Sequence, residues 1–437
     1  MRALHDEIVP KLSIAMGKLE LNENQWLSSL GSSTDKTHGD ITLPCHTFSK
    51  FLRKSPNDIA IEIANNLGPE LSEIVEINIV NGFLNFKARN SWISKKISSM
   101  NLDPRLGVGL ENRKTIVIDY SSPNIAKRMH VGHLRSTVIG DALSRILSFK
   151  GHNVVGENHI GDWGTPFGML IEHFIECDEN NIRDIDLSTF YREARYKFEN
   201  IDNFALRSRK RVVKLQSRDE ETIDLWQKLV DLSLVNFNLI YQMLGVLLND
   251  DNLAGESIYE DLLPEVVKRL ESKNLIVESE GALVVFPDGW YNRENAPLPL
   301  IIRKSDGGYN YATTDLACII NRVESIECNE MLYVVGAEQS QHFSMVFQVA
   351  KDAEFMDETI KAVHVPFGLV MGSDGKKLAS REGKAITLKE LLEESVLRAE
   401  KLIIEKNPSM SDLERNKVSK MIGIGAIKYA DLSIDRN

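Results

Sequence analysis

Two histidines three positions apart, His130 and His133, are the residues of this sequence whose types and spacing first suggest chemistry. They lie in "HVGH", where an apolar run ("IVIDY") gives way to an amphipathic one, a pattern that predicts a strand passing into a helix. The first turn of such a helix offers unpaired N–H groups and a positive dipole end, which suit phosphate. Gly132 leaves room beside the backbone, and imidazoles there can donate hydrogen bonds to a phosphoryl group. The sequence therefore predicts a phosphate site at this turn.

Two other interpretations of the histidine pair are a zinc site and a helix start without a role. The spacing is not H-E-x-x-H and no third ligand stands nearby, so we expect no zinc. The four cysteines contain no C-x-x-C pair, which argues against a zinc knuckle or a disulfide framework. Taken alone, "HVGH" supports a phosphate site and a helix start without a role about equally.

A second candidate is the glycine-rich loop "MGSDGKKLASREGK", residues 371–384, which follows an apolar run. Its lysines, Lys377 among them, and Ser380 can reach the departing end of a triphosphate if the loop bends over it. The loop does not match G-x-x-x-x-G-K-[ST], which excludes an ordinary P-loop. Taken alone, such a segment is more often a surface loop.

These candidates need a scaffold that brings strand ends together. The strand "KTIVIDY", a helix from about His130 to Lys150 stopped by Gly151, and the strand "HNVVGEN" form a βαβ unit. We predict an α/β domain with a doubly wound parallel sheet, which resumes with "ALVVF", "LPLIIRK", "MLYVVGA" and "AVHVPFGLVM". Residues 180–250 are charged and helical in pattern, and we interpret them as an insertion; the chain after Gly383 is also helical.

The first hundred residues predict a separate small α+β unit. The segment "SPNDIAIEIANNLG" predicts a helix capped by Ser55 and ended by Gly68. The pair Asn81-Gly82, between two apolar runs, predicts a β-hairpin. Residues 101–114 are rich in turn formers and form the expected linker.

Composition restricts the class of function. A net charge of −11 argues against a general nucleic-acid coat, although the basic run at residues 206–218 leaves open a local basic face or a solvated helix face. No run approaches the length of a membrane span, and the amino terminus is a poor signal peptide. We therefore expect a cytoplasmic protein without a membrane partner.

Long stretches of this sequence resemble the arginyl-tRNA synthetases, which are class I aminoacyl-tRNA synthetases. "HVGH" resembles the HIGH signature of that class, and "KLASR" resembles a degenerate KMSKS loop. The resemblance to the arginyl family extends over "SSPNIAK", "NHIGDWGTPFGMLI", "VVKLQS", "GGYNYATTDLAC" and "GIGAIKYADLS". It implies a Rossmann-like catalytic domain of the HUP type, and a ligase that uses ATP with Mg²⁺, L-arginine and tRNA(Arg).

The resemblance also implies roles for particular residues. In catalysis and ATP binding these are His130, His133, Lys127, Lys377, Gly132 and Ser380. In arginine binding they are Asp119, Asn124, His133, Tyr311, Asp315 and Gln339. Ser380 replaces the last KMSKS lysine, and the family is thought to compensate with a lysine upstream of HIGH, here Lys127. Arg128 replaces the proline that is common before that signature.

The family pattern divides the chain into an added domain on the D-loop side of tRNA (1–105), a catalytic domain (106–385, with a helical insertion at about 180–290) and a helical segment (386–437). Because the family continues into an anticodon-binding domain, we expect a truncated or short form, and a monomer. Two alternatives stay open: a paralogue that activates arginine or a relative for another acceptor, and a non-catalytic RNA-binding protein.

Overall fold

The computed structural model describes residues 2–177, 186–292, 294–368 and 387–435. The fold consists of two compact units, Met1–Gly109 and Leu110–Asn437. The three-part domain division expected from the sequence stays a prediction.

The first unit is an antiparallel sheet with helices packed against it. Its strands are β1 (Gly31–Ser32), β2 (Ile41–Pro44), β3 (Val75–Val80) and β4 (Phe83–Ala88), in the order β1-β2-β4-β3. Its helices are α1 (Arg2–Gly17), α2 (Glu23–Trp26), α3 (Ser49–Leu52), α4 (Pro56–Asn66) and α5 (Asn90–Leu102). Trp26 and Phe86 are fully buried in the core between sheet and helices.

Local signals in this unit give the predicted elements. The Ser55 hydroxyl accepts a hydrogen bond from the Asp58 N–H at 3.2 Å, which caps α4. Asn81 and Gly82 adopt positive φ values of 49° and 76°, as the two-residue turn of a β3–β4 hairpin requires. Both predictions are confirmed.

The second unit contains a parallel sheet of strands β5 (Thr115–Asp119), β6 (Asn153–Glu157), β10 (Glu330–Tyr333) and β11 (Lys361–His364). Their order is β11-β10-β5-β6, so the chain extends the sheet to one side of β5 and then to the other. The gap between β5 and β10 is therefore the topological switch point, where open α/β sheets bind their ligands. The predicted α/β class with a parallel sheet is confirmed.

The prediction that this sheet includes "ALVVF" and "LPLIIRK" is wrong. These segments form β8 (Ala282–Val285) and β9 (Leu300–Arg303), which pair antiparallel with β7 (Val277–Ser279) in a sheet of their own. A short apolar run does not reveal whether its partners are parallel or antiparallel, because both arrangements bury such runs.

Helices surround the two sheets of the second unit. They are α6 (Val131–Phe149), α7 (Pro166–Glu176), α8 (Leu187–Asn200), α9 (Asp202–Gln216), α10 (Glu220–Leu244), α11 (Leu263–Ser272), α12 (Tyr311–Glu324), α13 (Ser340–Asp352), α14 (Leu388–Lys406) and α15 (Asp412–Ser433). α6 begins after His130, and Gly151 has a φ of 100° just past its end, as predicted. No helix among the described residues is both long and apolar enough to cross a membrane.

Candidate active site

Four side chains stand in one row at the carboxyl ends of the parallel strands. The strand register aligns Glu157 with Asp119, Asp119 with Tyr333, and Tyr333 with His364. Asp119 and Tyr333 flank the switch point between β5 and β10. Since Glu157 and Asp119 are both buried, this row concentrates negative charge at the edge where a ligand is expected.

A buried guanidinium compensates that charge. Arg322 of α12 has no exposed surface, and its Nη2 lies 2.8 Å from Asp119 Oδ2 and 2.7 Å from Glu157 Oε2. Its guanidinium carbon lies 4.7 Å from the Tyr333 ring centroid. The other oxygen of Asp119 accepts a hydrogen bond from the Ser122 hydroxyl at 3.0 Å. Asp119 is therefore held by protein groups at both oxygens, as buried carboxylates must be.

The two histidines of "HVGH" cap α6 with their rings. His130 Nδ1 accepts a hydrogen bond from the Gly132 N–H at 3.1 Å, and His133 Nδ1 accepts one from the His130 N–H at 3.1 Å. The His133 N–H is bonded to the His130 carbonyl. These backbone groups are thus already paired, contrary to our expectation of open N–H groups at this turn. A Cβ on Gly132 would lie 2.8 Å from the His130 ring, so this geometry requires glycine.

The capping bonds decide which ring nitrogen can donate. A nitrogen that accepts a hydrogen bond carries no proton, so each neutral ring keeps its proton on Nε2. Burial is the largest cause that lowers the pKa of His133 to about 4, and the nearby His130 and Lys127 contribute to this shift. The rings lie 4.0 Å apart, centroid to centroid. The turn therefore presents two Nε2 donors side by side, and His133 remains neutral at physiological pH.

The loop between β5 and α6 is strained and firmly held. Ser121, Ser122 and Ala126 have positive φ values of 76°, 47° and 57°, a region that costs energy for residues other than glycine. The Ser136 hydroxyl donates to the Val334 carbonyl at 2.7 Å and accepts from the Ser121 N–H at 2.8 Å. α6 is thereby bonded to both sides of the switch point.

Side chains just before the signature contact the first helix of the insertion. The Lys127 ammonium lies 4.7 Å from the ring centroid of Tyr191, and Arg128 Nη2 lies 2.7 Å from Asp186 Oδ1. α8 therefore holds the lysine that the family resemblance assigns to phosphate. The other two predicted phosphate-binding residues, Lys377 and Ser380, lie outside the described residues.

Three of the residues predicted to bind arginine surround His342. Its Nε2 lies 2.6 Å from Asp315 Oδ2, and its ring centroid is 4.9 Å from that of Tyr311. Gln339 begins the turn of α13 that carries His342. Tyr311 is 62% exposed, so its ring is accessible to a ligand beside Asp315.

A second group of acidic residues adjoins this one through His159. Asp119 and Asp315 both lie within electrostatic range of His159 and raise its pKa. Burial raises the pKa of Glu256 to about 7; His159 opposes that change, whereas Asp162 and Asp315 add to it. Such a cluster of carboxylates suits a cationic ligand, because a guanidinium presents a planar set of donors.

Asn124 lies at the edge of this region. Its backbone forms a parallel bridge with Gly161, and a Cβ on that glycine would lie 2.2 Å from Asn124 Oδ1. Because Gly161 has no Cβ, the Asn124 side chain can lie against its backbone. Asn124 itself is exposed.

The profile of the family "tRNA synthetases class I (R), catalytic domain" matches residues 96–437, and that of "Arginyl tRNA synthetase N terminal domain" matches residues 4–88. An arginine–tRNA ligase of Thermobifida fusca is 49% identical over 393 residues, which are 88% of this chain and 68% of that protein. The chain belongs to the arginyl-tRNA synthetases. An arginine–tRNA ligase of Shewanella woodyi is 44% identical, with 92% of this chain and 70% of that protein covered.

Solved structures of arginyl-tRNA synthetases share the fold. The Plasmodium falciparum enzyme superimposes with a TM-score of 0.73 at 28% identity, over 92% of this chain and 70% of that chain. The Thermus thermophilus enzyme has the same TM-score at 20% identity, over 99% and 76% of the two chains, and shows likeness of fold alone. The predicted family and fold class are confirmed, and the individual site assignments stay predictions.

Four of the six cations in the basic run at residues 206–218 lie beside carboxylates. Arg207 and Arg211 both bond to the buried Glu172, at 3.1 and 2.8 Å, and Arg218 bonds to Asp261 at 2.9 Å. Lys214 lies 3.8 Å from Asp219. Because these cations already have anionic partners, the interpretation as an ordinary helix face is favoured over a phosphate-binding strip.

Sequence reasoning missed three residues of the site: Arg322, His342 and Glu256. "GAEQSQH" and the "TTDLAC" helix carry His342 and Asp315, but nothing in the sequence pairs them. Among the described residues, no group of three or more His, Cys, Asp or Glu side chains can hold a metal ion.

Proposed function

We propose that this chain joins L-arginine to tRNA(Arg) in two steps. The arginine carboxylate attacks the α-phosphate of ATP and displaces pyrophosphate, which gives arginyl-adenylate. A hydroxyl of the 3′-terminal ribose of the tRNA then attacks the arginyl carbonyl and displaces AMP. The observation that supports the proposal is that Asp119 and Tyr333 are aligned at the carboxyl ends of β5 and β10, and that two histidines cap α6, the helix that follows β5. Membership of the arginyl-tRNA synthetases supports it.

His130 and His133 would donate from Nε2 to the phosphoryl oxygens as charge grows in the transition state, with Gly132 making room for the His130 ring. Lys127 would neutralise the pyrophosphate, together with Lys377 and Ser380 from the loop outside the described residues. Magnesium would enter with ATP as part of the substrate, because it prefers phosphate oxygens and water to an all-protein cage.

Arginine selection is assigned to Asp315 and Tyr311, with Gln339 on the neighbouring turn and Asn124 across the edge. Asp315 can accept two parallel N–H bonds from a guanidinium, an arrangement that the ammonium of lysine cannot fill. Asp119 would act on the amino acid through its charge, since both of its oxygens already have protein partners.

Further proposals concern the contacts with tRNA, the cellular location and the oligomeric state. The first unit, in the predicted range 1–105, would contact the D-loop side of the tRNA, and the catalytic domain (106–385) the acceptor end. The helical segment (386–437) would contact the stem. We propose a cytoplasmic monomer, which sedimentation at several concentrations tests.

ATP–pyrophosphate exchange with arginine, run with and without tRNA(Arg), tests the function. Exchange that requires tRNA supports the proposed ligase. Exchange without tRNA, and no arginylation of tRNA, would indicate the paralogue that serves another acceptor. Absence of exchange under both conditions would overturn the enzymatic proposal in favour of an RNA-binding protein.

Specificity is tested with lysine as the competing amino acid and with two variants. Asp315→Asn is expected to abolish discrimination in favour of arginine, whereas Glu278→Gln, which removes an exposed carboxylate from β7, is expected to behave as the parent. An equal loss of discrimination between arginine and lysine in both variants would contradict the assignment of Asp315.

A further inference from the structure

Arg135 joins three distant segments at one guanidinium. Its Nε donates to Asp431 Oδ1 at 2.9 Å, its Nη1 to the Gly368 carbonyl at 2.9 Å, and its Nη2 to the Asp435 carbonyl at 3.4 Å. The side chains of Arg135 and Asp431 are only 4% and 6% exposed. A planar guanidinium with bonds to three acceptors fixes direction as well as distance, which an ammonium does not.

The three segments are α6, the chain at Gly368 and the end of α15, and the first two are close in sequence to residues proposed for activation. Arg135 is two residues beyond His133 on the helix that the two imidazoles cap. Gly368 directly precedes the stretch that contains Lys377. Asp431 belongs to α15, which packs with α14 as a helical hairpin.

The start of α14, at the same end of that hairpin as Asp431, also contacts the signature. The Leu388 N–H at the start of α14 donates to the Met129 carbonyl at 2.9 Å, and Thr387 forms an antiparallel bridge with His130. The hairpin therefore contacts α6 both immediately before the capping turn and at Arg135 immediately after it.

α15 is also anchored farther along α6. The Lys428 ammonium donates to the Leu244 carbonyl at 3.0 Å and lies 3.9 Å from the carboxylate of Asp141. α15 thus has two polar attachments to α6.

We infer that Arg135 and Asp431 are positioning residues for amino-acid activation, which hold the signature turn of α6 and the chain at Gly368 in a fixed relation to the α14–α15 hairpin. The inference rests on the proposed function for its kinetic consequence. It gives the carboxy-terminal helices a part in the activation step that is separate from any contact with RNA. A buried ion pair adds little net stability over a well-packed apolar pair, so its value here is the geometry that it imposes.

The test compares Asp431→Asn with Glu172→Gln in the 437-residue chain. Both variants remove one buried carboxylate that is paired with arginine side chains, but Glu172 joins α7 to α9 through Arg207 and Arg211 and makes no bond to α6 among the contacts described. Asp431→Asn is expected to lower kcat for ATP–pyrophosphate exchange by on the order of 10- to 100-fold, as a small misplacement of catalytic groups does. The KM for arginine should change by less than about twofold, because the residues assigned to the arginine side chain, Asp315 and Tyr311, lie on α12 and not on the signature turn. Glu172→Gln should leave kcat as it is.

Hydrogen–deuterium exchange gives a readout that does not need catalysis. Asp431→Asn should accelerate amide exchange in peptides that cover residues 129–136, and Glu172→Gln should not. Arg135→Lys serves as the second variant: it keeps the charge, loses the three-way geometry, and should show the same pattern.

The outcomes are distinguishable. If the parent chain shows no pyrophosphate exchange, the proposed function fails, and amide exchange still decides the coupling. The inference would be overturned if Asp431→Asn or Arg135→Lys left both the kcat for pyrophosphate exchange and the rate of amide hydrogen exchange at residues 129–136 unchanged. A loss confined to the KM for arginine, or an equal kcat loss in Glu172→Gln, would also overturn it.

Discussion

His133 should remain a neutral imidazole with its proton on Nε2 down to about pH 4. The cause is structural: desolvation and two neighbouring cationic groups disfavour the imidazolium, and the bond from the His130 N–H occupies Nδ1. The appropriate perturbation is His133→Asn. The Asn Oδ1 can take the place of Nδ1 as the capping acceptor, while both the titration and the Nε2 donor disappear.

The size of the effect follows from the two pKa values of His133. The unfolded chain binds a proton near 6.5, whereas the folded chain binds it only near 4. Between these values the unfolded state holds more protons, so His133 makes the fold less stable as the pH falls. The linkage relation gives a loss of about 2 kcal/mol between about pH 7.5 and pH 5. His133→Asn should lack this part of the pH dependence.

NMR of chain labelled with ¹⁵N at histidine measures the tautomer and the pKa directly. The signal that disappears in His133→Asn identifies the residue, and urea unfolding of both proteins at the two pH values measures the stability difference. A ring with its proton on Nδ1, or one that titrates near 6.5, would refute the reasoning. Identical pH dependence of stability in the two proteins would also refute it.

Three further predictions concern neighbouring groups. Arg322→Met should lower the free energy of unfolding by about 3–5 kcal/mol, because it leaves buried carboxylates unpaired; urea unfolding measures this, and a loss below about 1 kcal/mol would contradict it. Tyr191→Ala should raise the KM for ATP about two- to fivefold by releasing Lys127 from the ring, while Tyr191→Phe, which keeps a ring, should not. Asp315→Asn should weaken arginine binding on the order of 10- to 100-fold by calorimetry, through loss of a charged acceptor beside His342; an unchanged affinity would exclude that role.

The local elements were predictable because short-range physical chemistry determines them. A serine cap, an Asn-Gly turn, a glycine at positive φ after a helix and a β-branched run before one each act within a few residues. Thus α4, the β3–β4 hairpin, β5 and α6 appear where the sequence predicts them. The family was predictable for a different reason, since several long motifs occur in the expected order.

Partnerships over long sequence distances were not predictable. The basic run at residues 206–218 is the clearest example, because its cations pair with Glu172 and Asp261. Charge composition cannot distinguish a free cation from one whose partner lies tens of residues away. The prediction that "ALVVF" belongs to the parallel sheet was wrong for the same reason. Strand pairing depends on the topology of the whole domain, which a short segment does not reveal.

The ion pair between Arg322 and Asp119 affects which carboxylate of the site can recognise the side chain of a bound arginine. The sequence offers Asp119 as one more carboxylate for a bound arginine, yet the fold already supplies a guanidinium to its Oδ2 and a hydroxyl to its Oδ1. A carboxylate engaged in this way is costly to redirect, because its buried partner would then be left unpaired. Its charge still acts at the switch point, while the directional bonds to a side-chain guanidinium fall to other groups. Asp315 bonds to the His342 imidazole through Oδ2 rather than to a buried guanidinium, and the exposed ring of Tyr311 lies beside the same histidine. Discrimination between arginine and lysine should therefore depend far more on Asp315 than on Asp119, although both carry the same charge.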